Sequence, residues 1–287
     1  MRGHRAGFAV FLLAAGCSPR VLAVRTTVPV MTRGAASMEE EGDLALAEQA
    51  MPSQLKLLDG LLANDPGNAS LLTLTSKGYG GYAFLFVEGA DEARASALYL
   101  RARDFGLRAL KRSAACELAA ETDPALIDAC LARFKRRDAP ALFWTAYAWS
   151  GAVKLKLDSP ESIAEFPKIE RMMRRVDALS PGFFYGGPDT FLGSYYGGRS
   201  KMLGGDPEKA KRHFDKALAA GGARFLTVQL LYARYYAVQF QDKGLFHDLL
   251  TRVAAASPDI LPEQRLANTV AIKKAKELLK KEDELFE

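Results

Sequence analysis

Apolar positions recur every three or four residues along most of the chain from Asp43 onward. Polar breaks punctuate them at Asn64-Asp65-Pro66-Gly67-Asn68, Glu121-Thr122-Asp123-Pro124, Ser159-Pro160-Glu161, Ser180-Pro181-Gly182 and Asp206-Pro207-Glu208. A 3.6-residue period cut by Pro, Gly, Asp and Ser predicts amphipathic helices joined by short loops. The pattern is clearest over 70–110, which reads as two helices around a turn at Glu88-Gly89-Ala90-Asp91. The first is rich in small residues and carries Gly78, Gly80 and Gly81; the second sets Ala95, Leu98, Tyr99, Ala102, Phe105 and Ala109 on one face. An interior glycine costs about 1 kcal/mol in a helix, a cost accepted where another backbone must come close. No segment alternates at period two for long enough to predict a strand, so the expected fold class is all-α.

Other segments follow the same grammar. Residues 43–63 predict a helix broken or kinked at Pro52, and Asp123-Pro124 starts another with Leu126, Ile127, Leu131 and Phe134 inward. The most apolar helix is 139–157, where Trp144, Tyr147, Ala148 and Gly151 echo the opening of a tetratricopeptide unit. Its partner begins at Ser159-Pro160 and should kink at Pro167. Residues 183–188 read as an aromatic loop, and Thr190 to Tyr196 as a further helix start. Leu231 to Ala237 repeats that start at an offset of 40 residues, with helices near 243–256 and 262–284 to follow. Gly78 precedes Ala95 by 17 residues and Gly193 precedes Ala210 by the same 17, a coincidence that favours a shared unit. The expected architecture is therefore a stack of about four degenerate, antiparallel helix pairs of tetratricopeptide type, with a polar last helix as cap.

The first residues differ from the rest. Arg2, His4 and Arg5 precede an apolar run that closes on Ala14-Ala15-Gly16-Cys17. This pattern predicts a signal peptide over 1–16, with Cys17 as a lipid attachment site; cleavage after Ala23 is the rival reading. Residues 17–38 mix Arg, Thr, Pro and Gly without period and read as a lipidated tether, leaving 39–287 as one helical domain. The protein is then expected in the periplasm, held to a membrane by lipid alone, since no apolar run reaches the length of a spanning helix. Losing Arg2 and Arg5, with no acid, lowers the net charge from +5 to +3, too weak a bias to argue for nucleic acid. Cys116 and Cys130 flank a predicted turn; an oxidising compartment permits a disulfide, and two buried thiols are the equal alternative.

Candidate chemistry is sparse. His213 and His247 each lack a second His or Cys one turn away, so no helical metal motif exists, and both read as surface residues. The run 78–81 lacks the Lys-Ser/Thr of a phosphate loop, and no nucleophile elbow, kinase set or Cys–His pair occurs. No enzyme activity, cofactor or metal is expected. The aromatic residues stand out instead. Tyr79, Tyr82, Phe86, Trp144, Tyr147, Tyr185, Tyr195, Tyr196, Tyr235 and Tyr236 fall on or beside the first helices of successive pairs, as do Trp149 and Tyr232. First helices line the concave side of such arrays, so these residues are candidates for a ligand-binding wall; packing in the core is the competing reading.

The runs GYGGYAFLFVEGADEARASALYLRARDFGLRAL, ALFWTAYAW, YGGP, MLGGDPEKAKRHFDKAL and LYARYYAVQ occur in this order over about residues 53–258. Together they resemble the T component of TRAP transporters, the TatT-type periplasmic lipoproteins. The resemblance implies a degenerate tetratricopeptide-like fold, a lipid anchor at Cys17 and assembly into a homo-oligomer, a trimer. It also implies docking of a periplasmic solute-binding protein and passage of a small hydrophobic or organic-acid ligand through a pore or cavity. The overall function expected is a non-enzymatic accessory role in solute uptake; a general envelope scaffold for protein assembly is the alternative. The weak cleavage box before Cys17 and the Cys116/Cys130 pair depart from the family pattern.

Overall fold

The structure, a computed structural model, describes residues 19–114, 116–156 and 159–286. Cys17 and the expected signal peptide lie outside them. Every regular element among the described residues is helical. Helix α1 (Pro19–Glu39) occupies the stretch expected to be an aperiodic tether. The reason is legible in retrospect: Val24, Val28, Met31, Ala35 and Met38 step by four, three, four and three, a helical stripe hidden by Pro29 and Gly34. Val24 is buried, and Val28, Met31 and Met38 pack against the core.

Helix α2 (Leu44–Asn64) starts on Asp43, whose carboxylate accepts from the Ala45 and Leu46 amides, and runs as one helix through Pro52. Helix α3 (Ala69–Tyr82) continues into a π-turn at Ala83–Val87, and α4 (Glu92–Ala114) returns against it. Helix α5 (Pro124–Ala132) follows, with Cys130 bonded to Cys116 across a Cα separation of 5.9 Å. Helix α6 (Ala139–Lys154) is buried on nearly every side. The kink expected at Pro167 is instead a break: α7 (Pro160–Ala164) ends before it, and Pro167 lies in the first turn of α8 (Phe166–Leu179), where its missing N–H costs nothing.

Helix α9 (Phe183–Gly197) pairs with α10 (Pro207–Ala217), α11 (Thr227–Tyr232) with its π-turn at Ala233–Ala237 pairs with α12 (Lys243–Ala255), and α13 (Arg265–Leu279) and α14 (Glu282–Leu285) end the chain. Asn68, Asp123, Ser159, Asp206 and Asp242 each cap a helix by accepting a backbone N–H, a contact worth about 1 kcal/mol.

The pairs α3/α4, α6/α8, α9/α10 and α11/α12 pack in chain order. Helix α13 is more than a cap: it buries Leu266, Asn268, Val270, Ala271 and Ala275 and packs on α12, α11, α1 and α2. Gln264 Nε2 donates to Glu39 at 2.7 Å, and Arg265 to the Glu40 carbonyl at 3.1 Å. The end of the stack thus folds back on its beginning, and the inner faces of the first helices border a partly open cavity.

Candidate functional site

That space is an apolar cavity of about 300 Å³. Three first helices supply about half of its wall, each through one stripe at helical spacing. Helix α3 and its π-turn give Leu74, Lys77, Gly78, Gly81, Phe84 and Leu85; α6 gives Phe143, Trp144, Tyr147, Ser150, Gly151 and Lys154; α9 gives Gly187, Thr190, Phe191, Ser194, Tyr195 and Gly198. Met51, Leu55 and Leu58 of α2, Arg199 after α9, Leu231 of α11, Tyr235 of its π-turn and Leu266 of α13 contribute to the remaining sides. A glycine occurs in each stripe: Gly151 and Gly187 admit the Tyr99 and Phe143 rings, and only Gly81 leaves open space. Gly81 has nothing within 4 Å of where a Cβ would stand. Gly78 and Gly80 do serve close contacts, to Leu55 and Tyr147.

One end of the cavity is aromatic. Phe184 sits 4.9 Å from Trp144, 5.8 Å from Phe143 and 5.4 Å from Phe225 between ring centroids. Its backbone is left-handed (φ 47°), as are Tyr185 (φ 55°) and the flanking Gly182 and Gly186. The expected aromatic loop is therefore a tight left-handed turn, strained by about 1–3 kcal/mol at each non-glycine residue. Gly186 is confined to glycine twice over, by φ 81° and by Ala217, whose Cα would lie 2.7 Å from a Cβ. A shallower pocket outside shares Glu39, Phe184 and Gln264 with the cavity, so Phe184 borders both. Lys77 at this end pairs with Glu39, and its ammonium lies 5.3 Å from the Trp144 ring.

Behind the cavity-lining Lys154 and Tyr99 lies a charged cluster that two π-turns build. Glu88, directly after Ala83–Val87, accepts from Lys154 Nζ at 2.5 Å and from the Tyr99 hydroxyl at 2.7 Å. Arg234, inside Ala233–Ala237, reaches the same carboxylate at 3.7 Å. Lys274 of α13 donates to the Phe84 carbonyl at 2.8 Å, within the first π-turn. Burial pushes the Glu88 carboxyl up, but Lys154, Tyr99 and Arg234 outweigh it and hold the group below the usual carboxylate range. Burial pushes Lys154 down, and Tyr235 and Glu88 more than restore it, so its ammonium is stabilised. Burial pushes the Tyr99 and Tyr147 hydroxyls well above their ordinary values.

Of the sequence candidates, Trp144, Tyr147, Tyr195 and Tyr235 line the cavity, and Tyr185 lines the outer pocket. Tyr79, Tyr82, Phe86, Tyr196 and Tyr236 line neither. Tyr79 stacks on Phe105 at 5.8 Å and donates to Asp59 at 2.7 Å. Tyr82 packs on Phe86 at 5.8 Å and receives a hydrogen bond from Arg94 at 3.4 Å. Tyr196 donates to Glu170 at 2.5 Å, and burial, the largest cause, helps push its hydroxyl up to about 12. Tyr236 packs between Tyr232 and Phe240. The physical reason is rotation about the axis: 79, 82 and 86 form one stripe of α3, and 74, 77, 78, 81 and 85 form the neighbouring one. Phe84, Phe143, Phe184 and Phe191, absent from the sequence candidates, also line the cavity; the glycines one turn away on the same faces are the signal that marks them. His213, expected at the surface, is half-buried with Nδ1 2.7 Å from the buried Asp189 carboxylate; His247 is exposed beside Glu282.

Helix pairs packed in sequence around an apolar cavity, with α13 folded back on α1, define an all-helical repeat architecture. The family model of the TRAP transporter T-component matches residues 40–286, and the chain belongs to that family. A protein of Treponema pallidum (strain Nichols), described as an "Uncharacterized protein", is 25% identical over 299 residues, spanning 94% of this chain and 93% of its own length. No described helix is long and apolar enough to cross a membrane.

Proposed function

We propose that this T component is a non-enzymatic periplasmic accessory protein that binds the solute-binding protein of a TRAP system and holds or passes a small organic ligand through its cavity. The apolar cavity of about 300 Å³ carries this reading: it falls at the low end of the range for small-molecule sites, and about half of its wall comes from three successive first helices. Trp144, Tyr147, Tyr195 and Tyr235 are the wall residues of this proposal, with Phe143 and Phe184 added to them. Lipid at Cys17 would anchor the protein, and assembly as a homotrimer would set several cavities side by side.

Gly81→Leu tests the cavity directly, because its side chain would enter the cavity from a backbone position that has space around it. Native mass spectrometry of purified protein should show a trimer with a co-purified small molecule, and the Gly81→Leu protein should lose that molecule while keeping its helical circular dichroism. Pull-down from periplasm should recover a solute-binding protein. Recovery of envelope assembly factors alone, with no bound small molecule, would defeat the proposal and favour a scaffold.

A further inference from the structure

Helix α1 is held far more lightly than the other long helices. It is as long as α2, 21 residues each, yet it buries only Val24, whereas α2 buries Ala47, Met51, Leu55, Leu58 and Leu62. Pro29 removes one of its backbone hydrogen bonds. Gly34 weakens it further, and no close contact requires a glycine there, since nothing lies within 4 Å of where a Cβ would stand. The helix also precedes residues 40–286, the span that carries the family pattern. Even so, it packs on α2 and α3 from the start of the stack and on α13 from its end, so it lies across the seam where the two meet.

Its last turn belongs to the cavity wall. Ala35, Met38 and Glu39 line the cavity, and Glu39 also borders the outer pocket. The ties that hold this turn are few and polar. Glu39 pairs with Lys77 and accepts from Gln264 at 2.7 Å, and Arg265 donates to the Glu40 carbonyl at 3.1 Å. Near the other end, Arg25 reaches Asp65 at 3.4 Å with its own side chain 59% exposed. Residues Glu41-Gly42-Asp43 join α1 to α2 without helical structure. We infer that α1 is a lid on the cavity, swinging about this joint, and that its opening sets how fast a molecule enters and leaves. Lifting it removes Ala35, Met38 and Glu39 from the wall and opens the boundary between cavity and outer pocket at Glu39. The rest of the wall stays in place, because α2 to α13 bury cores of their own. A helix with one buried side chain opens as a local unit ahead of such cores, and loops or helices of this kind gate access to sites.

The lid's role in access rests on the cavity being the ligand site, and two measurements keep the claims apart. Hydrogen exchange followed by mass spectrometry on the full chain needs no ligand. The amides of 19–39 should exchange together, about tenfold or more faster than those of α2 and α3. Met31 packs against the core from α1 without lining the cavity, so Met31→Asp should speed α1 further and leave α2 and α3 unchanged. Stopped-flow mixing with N-phenyl-1-naphthylamine, a neutral apolar fluorophore, then reads access. Its association and release rates should both rise about fivefold or more in Met31→Asp, with Kd changing less than either rate. Glu39→Gln, which keeps the shape and removes the charge facing Lys77, is the second variant if the first fails to fold. Protection of 19–39 equal to that of α2, or an association rate unchanged in both variants, would overturn the lid and leave the cavity reading standing. No binding of the fluorophore to the parent protein would overturn the cavity reading and, with it, the lid's role in access.

Discussion

Gly151→Ala adds one methyl where the Tyr99 ring already stands. The new Cβ would lie 2.6 Å from Cε1 and 2.7 Å from Cδ1 and Cζ. Tyr99 is 1% exposed and its hydroxyl is held by Glu88 at 2.7 Å, so any turn of the ring away from the new methyl pulls on that bond. Alanine regains about 1 kcal/mol of helix propensity over glycine. Against this, overpacking a filled core costs about 1–3 kcal/mol, and weakening a hydrogen bond to a charged group costs about 1.5–3 kcal/mol. The balance is a loss of roughly 2–5 kcal/mol. Gly81→Ala, the same chemical change in α3, meets nothing within 4 Å and should stabilise by up to about 1 kcal/mol. Urea denaturation followed by circular dichroism, with the slope held constant between variants, reads both. A neutral or stabilised Gly151→Ala, or a Gly81→Ala that loses more than about 1 kcal/mol, would refute the contact geometry.

Other consequences are equally direct. Asn268 is fully buried, accepts from the Leu226 amide at 2.9 Å and donates to the Arg224 and Pro258 carbonyls, so Asn268→Ala should cost about 3 kcal/mol by thermal or urea unfolding. Replacing Cys116 and Cys130 by serine removes a crosslink closing 14 residues, and the double variant should unfold about 3 kcal/mol more easily. Burial pushes the Asp189 carboxyl up, yet His213 and Lys216 hold it below its ordinary value. A depressed carboxylate stabilises the fold above its unfolded pKa, and that stabilisation fades as pH falls through the lower folded value. Acid titration below about pH 4 should therefore separate the parent from Asp189→Asn, whose unfolding midpoint should depend less on pH in that window.

Helical class, pair count and helix starts follow from local rules that need no partner. Asp43, Asn68, Asp123, Ser159, Asp206 and Asp242 cap where short polar side chains beside an apolar period should cap, and the runs between them bury one face. Pro52 and Pro167 show the limit of local rules. The same residue is absorbed inside α2 and begins α8, because neighbouring contacts decide which backbone bonds can be lost. Helix α1 shows another limit, since its stripe matters only once α2, α3 and α13 offer it a surface.

The sequence by itself determined that this chain forms helix pairs in a T-component pattern, with aromatic residues concentrated on the first helix of each pair. Only the tertiary structure decided which of two adjacent stripes faces the cavity, because a rotation of about 100° per residue separates core from wall and no composition records it. It also decided that the stack closes on itself through Gln264 and Arg265, turning a groove into a cavity. Lys154 and Arg234, 80 residues apart in sequence, meet at Glu88, and Lys274, 40 residues further on, reaches the nearby Phe84 carbonyl.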